Sequence, residues 1–157
     1  MNNIQKPTAA FIGASWAALM VGALAYLIGL WNADMQLNEK GYYFTLLLFG
    51  LFSAVSLQKS VRDQLEGIPV TGIYFSLCWF SVGAALILLT IGLWNADLAL
   101  SEKGFYAMSF LLSLFAAVAV QKNIRDLAYF PEEDSFDKPK ITHDKEESEN
   151  DSDDLKL

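Results

Sequence analysis

A chain of 157 residues in which 54% are hydrophobic and 18% charged, with a mean hydropathy of +0.30, is too apolar for an ordinary soluble domain of its size. The formal charge of −7 comes wholly from one end, because residues 1–131 carry seven acidic and seven basic side chains whereas residues 132–157 carry eleven and four. No basic patch is present to neutralise phosphates, which excludes nucleic-acid binding, and the single cysteine, Cys78, excludes an internal disulfide.

After a short N-terminal segment, residues 1–7, the first predicted element is a run over 7–31 without Asp, Glu, Lys, Arg or His. A membrane-spanning helix needs about 20 apolar residues, and this run exceeds that. The polar connection that follows contains Trp31, Asn32, Asp34 and Glu39. Trp31 suits the membrane–water interface, Asn38 has N-cap chemistry, and Glu39 suits the first turn of the next helix. The second charge-free run covers 41–58, which at 1.5 Å per residue reaches only about 27 Å and requires a nearly upright helix. It ends in Gln58-Lys59-Ser60-Val61-Arg62-Asp63, where cations complement the helix C-terminus and can meet anionic headgroups.

The next elements repeat the first two. Residues 70–94 and 104–121 are again free of charge, and residues 28–63 align with residues 91–126 without a gap at 21 identical positions in 36. All four tryptophans fall into pairs 63 apart, so the chain is an internal duplication. The second connection holds Trp94, Asn95, Asp97 and Glu102, with Ser101 at the position of Asn38, and the second basic motif holds Lys122 and Arg125. Cys78 lies within an apolar run and reads as a small hydrophobe.

These observations predict an all-α membrane protein with four transmembrane helices, arranged as two tandem two-helix hairpins related by a parallel pseudo-twofold axis. The first repeat covers 8–66, the second 67–131, and residues 132–157 form an acidic tail with the composition of a disordered cytoplasmic segment. Lys6, Lys59, Arg62, Lys122 and Arg125 collect at one membrane face against Lys40 and Lys103 at the other, which predicts cytoplasmic N and C termini.

The repeated GLWNAD…EKG(Y/F)Y and QKx(V/I)RD motifs resemble the YiaA/YiaB two-helix domain, a family of small bacterial inner-membrane proteins. The resemblance covers roughly residues 8–127. It implies a multi-pass location in the bacterial inner membrane and brings no catalytic residue with it.

Two motif groups are candidates for function. Asn32, Asp34 and Glu39 with Asn95, Asp97 and Glu102 could offer oxygens to calcium or magnesium, but the same residues serve a tight helical connection, and that reading is preferred. Lys59 and Arg62 with Lys122 and Arg125 could form a headgroup pocket if the two motifs converge, and a topology anchor is the preferred alternative. Inside the membrane, Gly50, Ser53 and Ala54 match Ser113, Ala116 and Ala117, and Gly13, Ala17 and Ala18 form a similar stripe. Small residues at this spacing let helices approach closely. No charge-free run contains Asp, Glu, Lys, Arg or His for a proton relay, His143 has no partners for a metal site, and no phosphate loop or nucleophile motif occurs. The expectation is a non-enzymatic structural or interaction module without cofactor or metal. Its partners are membrane lipids and, as candidates, a second copy or other membrane proteins. The alternative is a small transport or channel component acting as an oligomer.

Overall fold

The computed structural model describes residues 6–130; the acidic tail over 132–157 lies outside the described residues. Four helices follow in order, α1 (Ala9–Asn32), α2 (Leu37–Leu65), α3 (Gly72–Asn95) and α4 (Leu100–Ala128). All four are long and apolar enough to cross a membrane, and among the described residues there is no strand.

The helix ends follow from local chemistry. Thr8 caps α1 by accepting from the Phe11 N–H at 3.3 Å. The turn after α2 has the ladder of a Schellman motif, with Ile68 N–H donating to the Asp63 carbonyl at 2.8 Å and Gly67 N–H to Gln64 at 3.1 Å. Gly67 sits at φ +75°, a conformation that a side chain would strain, and Pro69 beyond it discourages continuation. This turn joins the two repeats.

Connected helices are expected to pack as hairpins, and here the structure differs. Within a repeat the two helices barely touch: α1 packs along α4, α3 packs along α2, and α2 and α4 meet in the middle. The seams are thus between repeats, giving the order α1–α4–α2–α3 across the bundle. Glycines explain why. A Cβ on Gly22 would lie 2.9 Å from the Ser113 backbone nitrogen, and one on Gly29 would lie 2.7 Å from the Phe105 ring. Across the other seam, a Cβ on Gly92, the counterpart of Gly29, would lie 2.8 Å from the Tyr42 ring, and Tyr42 is the counterpart of Phe105. Close approach is built where repeat meets repeat.

The pseudo-twofold is visible in the core. The buried residues of α1 are Ser15, Gly22, Tyr26 and Leu30, and those of α3 are Cys78, Ala85, Leu89 and Leu93, each pair 63 apart. Tyr43 and Tyr106, also counterparts, stack across the centre with ring centroids 6.1 Å apart. Tyr26 fills the space beside them, edge-on to Tyr106 at 5.5 Å and donating its hydroxyl hydrogen to the Tyr43 carbonyl at 3.0 Å. The small residues of α2 and α4 behave as expected, since Gly50, Ser53, Ala54, Ser113, Ala116 and Ala117 are all buried. The stripe expected on α1 does not: Gly13 has nothing within 4 Å of a Cβ and Ala17 is exposed. The face of α1 that meets α4 is instead the one carrying Ser15, Gly22 and Tyr26.

Candidate functional sites at the two ends of the bundle

At the loop end, the repeated motif first builds its own connection. The Asn32 amide donates to the Ile28 carbonyl at 2.8 Å and the Asn95 amide to the Ile91 carbonyl at 2.8 Å. Glu39 accepts from the Gln36 backbone N–H at 2.8 Å, and Glu102 from the Ala99 N–H at 2.8 Å. The cap positions are therefore Gln36 and Ala99 rather than Asn38 and Ser101. The carboxylates at the third helical position satisfy the cap N–H from inside the helix, so a hydroxyl or amide at the cap is dispensable. Lys40 reaches back to the Trp31 carbonyl at 3.0 Å, and Lys103 to the Trp94 carbonyl at 3.3 Å, closing the C-termini of α1 and α3. Trp31 and Trp94 are 84% and 83% exposed, as rings anchored in an interface should be.

Among the described residues, two clefts open at this end. One, of about 270 Å³, lies between α2 and α3 and contains Asp34, Glu39, Tyr42, Tyr43 and Asp97. The other, of about 320 Å³, lies between α1 and α4 and contains Asn32, Glu102 and Tyr106. Asp34 and Asp97 make no hydrogen bond or ion pair with another described residue, and no group of three His, Cys, Asp or Glu side chains among the described residues is placed to hold a metal ion. The six loop-end side chains that could have offered oxygens to one divalent cation are thus divided between two clefts, Asp34, Glu39, Asn95 and Asp97 at one and Asn32 and Glu102 at the other.

At the opposite end the two basic motifs do converge. Arg62 crosses to Asp126 of the other repeat and also holds Glu66 on its own helix at 3.0 Å. Arg125 makes the reciprocal pair with Asp63 at 2.8 Å and a second pair with Glu66. Lys59 pairs with Asp63 at 2.6 Å and Lys122 with Asp126 at 2.8 Å, both four residues apart on one helix. Each aspartate is therefore held by a lysine of its own helix and an arginine of the other. Glu66 breaks the symmetry, since its counterpart is Tyr129, whose hydroxyl donates to it at 3.1 Å. The Arg62 guanidinium holds the Glu66 carboxyl below its ordinary value, with Arg125 and Tyr129 acting in the same direction. The gap directly between the motifs is closed, with the arginines on carboxylates, and beside it a cleft of about 460 Å³ is bordered by Gln58, Arg62, Glu66, Lys122 and Tyr129.

These pairs differ in worth. Side chains of Asp63 and Asp126 are largely buried, while Lys59 and Lys122 are 60% and 52% exposed. Removing Arg62 leaves the buried Asp126 carboxylate with only the half-exposed Lys122 as a charged partner, and Arg62→Ala should lower unfolding stability on the order of 2 kcal/mol. Lys59→Ala should cost less than about 0.5 kcal/mol, as exposed pairs do. Denaturant unfolding in micelles separates the two, and equal effects would contradict the crossed network.

One turn deeper lie polar contacts that the sequence did not signal. Asn123 is 1% exposed, and its amide donates to Ser15 Oγ at 3.1 Å across the α1–α4 seam. The counterparts of these residues, Ser60 and Cys78, meet at 3.5 Å across the α2–α3 seam. Applying the repeat offset to both members of a pair is the signal that finds them. Asn123 Oδ1 is buried without a partner, at a cost of about 1–3 kcal/mol.

The profile of the yiaA/B two helix domain matches the chain twice, over residues 11–63 and 74–126. Among individual proteins, the inner membrane protein YiaA of Escherichia coli K12 is 59% identical over 130 residues, covering 83% of this chain and 90% of that protein. The inner membrane protein YiaB of the same organism is 30% identical over 97 residues, 61% of this chain and 81% of that protein. An uncharacterized membrane protein of Bacillus subtilis 168, YubF, is 36% identical over 63 residues, 40% of this chain and 72% of that protein. No solved structure matches the chain significantly.

Proposed function

The chain belongs to the yiaA/B two helix domain family and is a multi-pass inner-membrane protein, and on that premise we propose that it is a non-enzymatic interaction module with both termini in the cytoplasm. The observation that carries this reading is the crossed ion-pair network, in which the arginines and aspartates of the repeated basic motif hold one repeat to the other. The motif thus fixes the frame, leaving the long outer faces of α1 and α3, with Trp16, Val21, Ile28, Phe80 and Ile87 exposed, to meet lipid or another membrane protein. Cross-linking in native membranes, followed by identification of captured chains, should recover the same membrane protein or a second copy repeatedly. Solute flux into liposomes containing the purified protein would instead overturn the module reading in favour of a transport component.

The orientation has its own test. In a Cys78→Ser background, cysteines at Ala33 and Ala99 should react with an impermeant thiol reagent in intact cells, and one at Gln64 should react only after the membrane is opened. Gln64 is exposed whereas the neighbouring Ser60 is 1% exposed, so only the former reports sidedness. The reverse pattern would invert the topology.

A further inference from the structure

We propose that the cleft between α2 and α4 at the basic end binds one anionic phospholipid, with its phosphate held by Gln58, Arg62 and Lys122. The sign follows from the ion-pair network beside the cleft. Four cations, Lys59, Arg62, Lys122 and Arg125, meet three carboxylates, Asp63, Glu66 and Asp126, which leaves one positive charge in excess. Of the described residues that border the cleft, Glu66 is the one carboxylate, and both of its oxygens are occupied. Oε1 accepts from Arg62, and Oε2 accepts from Arg125 and from the Tyr129 hydroxyl.

The donors are not exhausted in the same way. Lys122 gives one N–H to Asp126 at 2.8 Å and its side chain is 52% exposed, so two of its three hydrogens remain. Arg62 uses Nε toward Glu66 and Nη2 toward Asp126, and its Nη1 hydrogen-bonds to no described residue. The Gln58 amide is equally free of hydrogen bonds to described residues. A guanidinium, an ammonium and an amide therefore border one opening, and a phosphodiester accepts from all three. The carbonyl ends of α2 and α4 disfavour an anion, but that influence falls off within the last turn. Gln58 and Lys122 stand nearly two turns back, in helices that run to Leu65 and Ala128.

Position selects a lipid over a soluble anion. Gln58 closes the charge-free run over 41–58, so the donors stand where the apolar span gives way to headgroups, the level at which basic pockets between helices take anionic lipid. Val61 and Leu65 form the apolar border, and Leu65 is 80% exposed. A soluble anion would leave Leu65 in water, whereas the upper acyl carbons of a phospholipid cover it. The volume of about 460 Å³ is that of a small-molecule site, for which roughly 300–1,000 Å³ is usual, and exceeds what inorganic phosphate fills. The counterpart of Leu65 is Ala128, so the symmetry-related position lacks this apolar wall and the site is single.

The experiment uses the full chain, delipidated in detergent, with bound lipid counted by native mass spectrometry. One phosphatidylglycerol should bind saturably, at least tenfold more tightly than phosphatidylcholine with the same acyl chains. Lys122→Gln should weaken binding about fivefold, as loss of one basic residue beside anionic lipid does, and Gln58→Leu at least threefold. Lys59→Gln is the control. Lys59 is the counterpart of Lys122, pairs with its own aspartate in the same manner and is 60% exposed, but it does not border the cleft, so its loss should leave the affinity unchanged. Lys122 is exposed and Gln58 makes no hydrogen bond to a described residue, so both variants should melt like the parent chain, and either one gives the reading if the other fails to fold. Equal weakening by Lys59→Gln and Lys122→Gln would reveal a diffuse basic belt and overturn the site, as would equal binding of the two lipids. Displacement of the lipid by glycerol 3-phosphate at matching concentration would assign the cleft to a soluble anion and overturn it too. None of these outcomes bears on the module reading, which cross-linking tests separately.

Discussion

Produced alone, residues 1–66 should fail to accumulate as a folded membrane protein, and producing residues 67–157 in the same cell should restore them. The buried face of α1 is written for α4, and the buried face of α2 for α3 and α4. A single repeat therefore inserts two helices with no mutual seam, exposing to lipid the Asp63 carboxylate and the Ser15 and Gly22 face. In lipid, helix association depends on such packing and hydrogen bonding and not on a hydrophobic driving force between helices. Loss of the seams should reduce the level of the lone repeat by roughly fivefold or more, since a few kcal/mol changes abundance severalfold. Co-purification of the two halves from detergent would measure the rescue. A first repeat that is stable and monomeric by itself would show that the seams are not what holds the bundle together.

The second large effect concerns glycine. Gly22→Leu should abolish most of the folded protein, because even a Cβ there would sit 2.9 Å from the backbone nitrogen of Ser113, which cannot rotate away. Gly50→Leu should be similarly severe, with its Cβ 2.6 Å from the Phe110 ring, which is itself fully buried. Overpacking costs typically about 1–3 kcal/mol and more where backbone must move. Gly13→Leu, with nothing within 4 Å, should leave both amount and melting temperature unchanged. Thermal melts of the three variants in micelles decide the matter, and equal tolerance would place α1 elsewhere in the bundle.

The number, order and type of elements were legible in the sequence because charge is excluded from lipid. Charge-free runs marked the spans directly, and the offset of 63 marked the duplication. What could not be read was which helices touch. A short connection usually joins packed neighbours, and only the depth of a glycine's contact reveals that α1 leans on α4. The same gap explains the basic motif. Lys59 and Asp63 are visible as a pair at helical spacing, but Arg62 with Asp126 becomes a pair only when the repeats are placed face to face. At the loop end the residues were identified and the partition was not. Glu39 and Glu102 serve their own helix starts, while Asp34 and Asp97 gather at one cleft of two. Tyr43, buried and stacked on Tyr106 at the centre of the bundle, stood in the sequence only as the last residue of the EKG(Y/F)Y motif.

The two seams also carry different assignments of size. Gly22 lies against Ser113, and the equivalent positions on the other side are held by Ala85 and Gly50. A chain with two copies of the first half would put glycine at both positions of each seam, leaving a void. Two copies of the second would set Ala85 against Ser113, where even a lone Cβ has no room beside the serine. Glu66 and Tyr129 divide in the same way, one the acceptor and the other the donor. The halves have become lock and key to each other, so the molecule is a heterodimer whose subunits happen to share one polypeptide, and neither half can stand in for its twin.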